Sequence, residues 1–186
     1  MAKNVLLPFT EGVEEIEMIA VVDVLRRAGV RVCMASLDGA AVTGRSGITI
    51  MPDAAIEDAQ NEIWDMLVLP GGLPNAFLLR DNACVKTITL RLRKQRKTLA
   101  AICAAPLALA AFGIIEDHRV TSYPSTGDDL QALAPNAVYV DDAVVEDDFL
   151  ITSRGPGTAI PFALRLVAKL CGEHVAEQVK AEIVYS

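Results

Sequence analysis

"LAAICAAPLALAAFG", residues 99–113, is the stretch that decides how the chain is read. With Thr98 it begins as an apolar run of strand length, TLAAI (98–102), and a helix is expected from about Pro106. Between them stands Cys103, with Ala101, Ala104 and Ala105 around it. Strand, sharp turn, nucleophile and helix is the layout of a nucleophile elbow, whose crowded backbone tolerates only small neighbours. Proline suits the first turn of a helix, where its missing N–H costs nothing. A cysteine beside a helix N-terminus meets partial positive charge, so the thiol is expected to titrate below its ordinary value of about 8.5. The competing reading is a buried structural cysteine, since free cysteine is among the most buried residue types. Spacing alone leaves both open.

Working outward, strands and helices alternate. NVLLPF (4–9) reads as a buried strand, EEIEMIAVVDVLRRAG (14–29) as a helix capped by Gly29, and VRVCMASL (30–37) as the next strand. GITIMP (47–52) is a short strand, and DMLVLPGG (65–72) an apolar strand running into a glycine turn. NACVKTITLRLRKQRK (82–97) is an amphipathic helix that leads into 98–102. RVTSYP (119–124) reads as a strand, and residues 137–153 as strands with an acidic turn at Glu146–Asp148. Helices over 158–172 and 174–185 close the chain. This order predicts one α/β domain over residues 1–186, with a mainly parallel sheet and helices on both faces. In such sheets the ligand crevice lies beyond the carboxyl ends of the strands. EGVEE, PGG and CAAP all fall at strand ends.

Composition narrows the classes. The 186 residues are 52% hydrophobic and 22% charged, which excludes a disordered chain. Charges interrupt every apolar run before it reaches the 18 or so residues of a membrane span, and the first residues lack a signal-peptide pattern. The net charge of −7, with no basic block, argues against dedicated nucleic-acid binding. Four scattered cysteines (Cys33, Cys84, Cys103, Cys171) and two histidines (His118, His174) give no zinc spacing, so no metal is expected. Scattered apolar cysteines without a leader point to the cytoplasm.

Other candidates surround the elbow. Of Glu11, Glu14, Glu15 and Glu17, most suit an acidic first helical turn. Glu17 differs, because Ala20, Val21, Val24 and Ala28 continue its stripe inward. A carboxyl in a partly apolar pocket beside a cysteine should hold its proton to higher pH than usual. Gly71 and Gly72 need be no more than a turn, or they admit close approach of a ligand. SRGPGT (153–158) reads as a turn and a helix cap; an anion contact from Arg154 is the lesser reading.

The stretches EGVEEIE…DVLRRAG, LVLPGG, AAICAAP, RVTSYP and TSRGPGTAIPFAL, from residue 11 to about 164, resemble the ThiJ/PfpI superfamily in its protein-deglycase branch. The resemblance implies a flavodoxin-like three-layer sandwich (class I glutamine amidotransferase-like) and a homodimer. Helix 14–29 and the segment around Val42–Ile50 would supply the partner surface. It further implies Cys103 as reactive cysteine, Glu17 as its acidic partner, and N–H groups of Gly71, Gly72 and Ala104 as an oxyanion hole. Where that branch carries a histidine before the proline of its VT motif, this chain has Tyr123, a poor base that reads as pocket wall. Peptidase activity is therefore not expected. The activity implied is a cofactor-independent, glutathione-independent glyoxalase of hydro-lyase type or a protein deglycase. Its substrates would be methylglyoxal, glyoxal or their early protein adducts. The alternative on the same residues is a redox-sensing, chaperone-like protective protein whose Cys103 oxidises to a sulfinate.

Overall fold

A computed structural model describes residues 3–186. The strands are β1 (Asn4–Phe9), β2 (Arg31–Ser36), β3 (Val42–Thr43), β4 (Thr49–Ile50), β5 (Ala54–Ala55), β6 (Met66–Leu69), β7 (Thr98–Ile102), β8 (Arg119–Val120), β9 (Val138–Tyr139), β10 (Val144–Asp147) and β11 (Leu150–Ser153). The helices are α1 (Glu15–Arg27), α2 (Ile56–Ala59), α3 (Asn75–Asp81), α4 (Ala83–Lys94), α5 (Pro106–Ala111), α6 (Gly127–Leu133), α7 (Ala159–Cys171) and α8 (Glu173–Glu182).

Seven strands form the central sheet in the order β10-β11-β7-β6-β1-β2-β5. All its neighbours pair parallel except β10, which runs antiparallel to β11. The strands alternate strictly between two cores. On one face Val5, Leu7, Met66, Val68, Ala100 and Ile102 pack under Met18 and Val21 of α1, Phe162 and Leu166 of α7, and Val179 of α8. On the other, Leu6, Leu67, Leu69, Leu99 and Ala101 pack under Leu79, Ile88, Leu92, Leu109 and Leu130 of α3 to α6. The result is the three-layer flavodoxin-like α/β sandwich. Its strands are buried on both faces, which is why they read as continuous apolar runs rather than alternating ones.

Strand order reverses beside β1: β2 and β5 continue to one side, β6, β7 and β11 to the other. The carboxyl ends of β1, β6 and β7 meet at this reversal, the position where open parallel sheets bind ligands.

Several expectations shift. The strand expected over 47–52 is reduced to β4, which pairs antiparallel with β3 in a hairpin outside the main sheet. The strand expected over 119–124 shrinks to β8, paired only with β9. The acidic turn lies at Asp148–Phe149, not Glu146–Asp148, because Glu146 sits inside β10, where it binds Arg165 and Lys169. Helices α2, α3 and α6 were not anticipated. Each is seven residues or shorter and offers too little periodicity to register.

Candidate active site

Cys103 follows directly on β7 and has φ +65°, a left-handed backbone that is rare outside glycine and costs energy to hold. Three main-chain bonds hold it there. Its N–H donates to Ser153 O (2.9 Å), its carbonyl accepts from Tyr123 N–H (2.8 Å), and Ala105 N–H closes the turn onto Ile102 O (3.1 Å). Pro106 then opens α5. The local geometry is the elbow read from the sequence.

Glu17, in the first turn of α1, is wholly buried and faces the elbow. Its Oε2 accepts the N–H of Gly71 at 2.8 Å. The Cys103 thiol is the other polar group facing the carboxyl. Oε1 has no aligned hydrogen-bond partner among the described residues. Gly71 is in turn clamped from behind. Its carbonyl accepts from Glu14 N–H (3.1 Å) and from Asn75 Nδ2 (2.9 Å). The same amide donates to Pro70 O (2.8 Å) and accepts from Thr10 N–H (2.8 Å). One buried side chain thus ties the end of β1 to the end of β6. A Cβ on Gly71 would stand 2.6 Å from Cys103 Cβ and from Glu17 Oε2, so only glycine fits.

These contacts correct the expected oxyanion hole. Gly71 N–H is already donated to Glu17 and offers nothing to a ligand. The N–H groups of Gly72 and Ala104 remain, and both favour negative charge on the Cys103 sulfur.

The ionisation of the pair also departs from expectation on one side. Burial raises Glu17 to about 7, against the opposing pull of the thiol and of Gly71 N–H. Burial, followed by the charge of Glu17, pushes the Cys103 thiol up to about 12, despite Gly72 and Ala104. The expected lowering of the thiol is therefore reversed: desolvation and a like charge outweigh two backbone donors and a six-residue helix. The two groups share one site and titrate as a pair. At neutral and mildly alkaline pH the pair therefore holds one proton between carboxyl and thiol.

A cavity of about 350 Å³ opens from the elbow to the surface, lined by Arg45, Gly72, Leu73, Cys103, Ala104, Tyr123, Ser125, Thr126 and Pro156. Tyr123 is half exposed on its wall. Arg45 went unnoticed in the sequence, because an arginine inside TGRSG (43–47) reads as a solvated turn. Asn75 likewise carried no signal.

The remaining candidates lie elsewhere. His118 packs edge-on against Phe149 and faces Asp147, and His174 is exposed on α8, so no histidine lines the cavity. Arg154 pairs with Asp141. Thr158 Oγ1 accepts from Gly155 N–H (3.1 Å), the capping role favoured for SRGPGT. Cys33 is buried in the core, Cys84 faces Gln60 Oε1 at 3.2 Å, and Cys171 is half-buried on α7. Among the described residues no cluster of metal-ligating side chains occurs and no helix is long and apolar enough to cross a membrane.

Comparison with known proteins adds the following findings. The family model described as DJ-1/PfpI matches residues 3–169. Protein dj-1beta of Drosophila melanogaster is 40% identical over 181 residues, covering 96% of this chain and 95% of the relative. Its crystal structure superposes with a TM-score of 0.96 over the full length of both chains. A Caenorhabditis elegans protein named glutathione-independent glyoxalase DJR-1.2 is 38% identical over 168 residues, 90% of this chain and 88% of that one. The solved structure of an oxidized Toxoplasma gondii DJ-1 matches at TM-score 0.94 and 33% identity, over 100% of each chain.

Proposed function

The chain belongs to the DJ-1/PfpI family, and from that premise we propose that it is a glutathione-independent glyoxalase acting on small 2-oxoaldehydes such as glyoxal and methylglyoxal. The observation that carries the proposal is the convergence, beside one cavity, of a cysteine, a buried carboxyl raised to about 7, and the backbone N–H groups of Gly72 and Ala104. A relative that bears the name of this activity adds support.

The chemistry follows from the pair holding one proton. Glu17 carboxylate takes the thiol proton as Cys103 sulfur adds to the aldehyde carbon. The electron pair of the C=O moves onto oxygen, where Gly72 and Ala104 N–H groups stabilise it. Protonated, that oxygen completes a hemithioacetal. Glu17 then removes the C1 hydrogen and returns it to C2 through an enediol, so that C1 is oxidised to a thioester while C2 is reduced to an alcohol. Water cleaves the thioester, releasing the 2-hydroxy acid and restoring the thiol. No outside oxidant, metal or cofactor enters the balance. Early adducts of the same aldehydes on protein side chains present the same hydroxyalkyl carbon and extend the proposal to deglycation. A peptidase reading lacks its base, since Tyr123 holds the wall where a histidine would be needed.

An assembly belongs to the same proposal. Ile16 and Ile19 on α1, with Ile48 and Met51 beside β4, are exposed. A second copy of the chain covering this face would form a symmetric dimer.

A second reading draws on the oxidized relative. Peroxide would take Cys103 to a sulfinate whose oxygens meet the same backbone donors and a protonated Glu17.

The deciding experiment uses metal-free protein and methylglyoxal, with lactate as the measured product. Formation of lactate that is abolished in Cys103→Ser supports the glyoxalase. Its absence, together with stoichiometric oxidation of Cys103 by peroxide in intact-mass measurements, supports the redox reading.

A further inference from the structure

Among the described residues, Arg45 is the only charged one lining the cavity. It is carried there by the turn between β3 and β4, and that turn is fastened to the body of the protein with more hardware than an exposed hairpin needs. The buried carboxylate of Glu15 accepts Ser46 N–H at 2.8 Å and Ile48 N–H at 3.4 Å. Gly44 lies against Glu15 so closely that no Cβ could be added. The main-chain N–H of Arg45 donates to Val13 O (3.0 Å), and Gly12 N–H to Thr43 O (3.0 Å). The guanidinium itself is held by Glu14 Oε2 at 3.2 Å through one nitrogen. A guanidinium has five donors in a planar fork, so a single contact of this kind orients it and leaves donors for a second anion.

The size of the cavity points the same way. About 350 Å³ lies within the range of pockets that hold drug-sized ligands, far more than a two- or three-carbon dicarbonyl occupies. The reacting carbon is the one that bonds to Cys103 sulfur, and Leu73, Ser125, Thr126 and Arg45 line the same cavity.

We propose that Arg45 makes the site selective for 2-oxoaldehydes that carry an anionic group, a carboxylate or phosphate, a few bonds from the reacting carbonyl, and that Glu15 is the positioning residue that keeps Arg45 in place. This rests on the glyoxalase reading and names its substrate class. The acyl product also bears a carboxylate once water has cleaved the thioester, but that charge forms at the cysteine and not at Arg45. Selectivity therefore acts on binding of substrate.

The test compares two compounds with one reacting end: 4,5-dioxopentanoate and its methyl ester. Wild-type kcat/KM should favour the acid by about tenfold to hundredfold, the range of a charge-assisted hydrogen bond. In Arg45→Gln the ratio should collapse to about one, and Arg45→Lys should restore part of it. Glu15→Gln should raise KM for the acid while kcat holds. The ratio within each variant is insensitive to how much of the protein is folded. A wild-type ratio near one, or a preference that survives Arg45→Gln, overturns the proposal. If neither compound is turned over, the glyoxalase reading fails and Arg45 is judged by calorimetric binding of 4-oxopentanoate, which lacks the aldehyde. Tighter binding than its methyl ester, lost in Arg45→Gln, sustains the anion site; equal binding of both removes it.

Discussion

Replacing Glu17 by glutamine separates what the carboxyl does for chemistry from what it does to the fold. The side chain is wholly buried and its carboxyl is raised from 4.5 to about 7. Below about pH 4.5 the folded and unfolded chains both hold the proton, and burial of the acid carries no ionic penalty. As pH rises towards 7 the unfolded chain releases the proton while the folded chain retains it, so stability falls through that window. Above about 7 the folded chain ionises too and the loss is complete. At 1.36 kcal/mol for each pH unit, the gap amounts to about 3 kcal/mol. Glutamine never ionises, and its carbonyl oxygen still accepts Gly71 N–H. Relative to wild type, Glu17→Gln should therefore gain up to about 3 kcal/mol between pH 4.5 and pH 8, or roughly 6–12 °C in Tm for a chain of this length. Over the same change, turnover of methylglyoxal per folded molecule should drop by about 10²-fold or more, the scale of losing a positioned acid–base group. Calorimetric melts of both proteins at pH 4.5 and pH 8, with lactate formation measured on the same samples, give both numbers. A stability difference that does not change with pH would refute the burial of an ionisable acid. Undiminished turnover would refute its role as proton carrier.

Three further outcomes are expected. Wild-type turnover should rise with pH through about 7, as the Glu17 carboxylate forms, and then stay level to pH 9; a fall across that range would mean that the protonated acid is the working form. Gly71→Ala, whose new methyl would meet Cys103 and Glu17, should lose about 1–3 kcal/mol in urea melts and most of its turnover; wild-type stability would show that the turn yields freely. Light scattering should give about twice the 19.9 kDa chain mass, and Ile48→Lys should halve it; a monomeric wild type would remove the proposed dimer face.

How much of this was legible in the sequence follows from where the information sits. The buried strands and the elbow are local: β1, β6 and β7 are apolar runs that stop at turn residues, and Cys103 is flanked by the small residues its backbone demands. The inward phase of Glu17 is also local, a matter of helical periodicity. What escaped is non-local. Arg45 reaches the cavity only because Glu15, 30 positions earlier, fastens its turn. Asn75 matters only because β1 and β6 end side by side. The thiol was misjudged because a helix N-terminus can be seen in a sequence, whereas the dielectric around a sulfur and the charge of a residue 86 positions away cannot. Two-residue strands such as β5 and β8 have no period to detect, and their pairing is set by neighbours.

The reversal of strand order beside β1 has a consequence for the chain as it is made. Glu17 is delivered by the half of the sheet built from residues 4–55, and Cys103 by the half built from residues 66–153. Neither half carries the reactive pair alone. A nascent chain on the ribosome, or a molecule whose halves have come apart, presents Cys103 as a thiol without its carboxylate neighbour. Chemical competence thus requires both halves, and the reactivity of one sulfur reports whether they have closed.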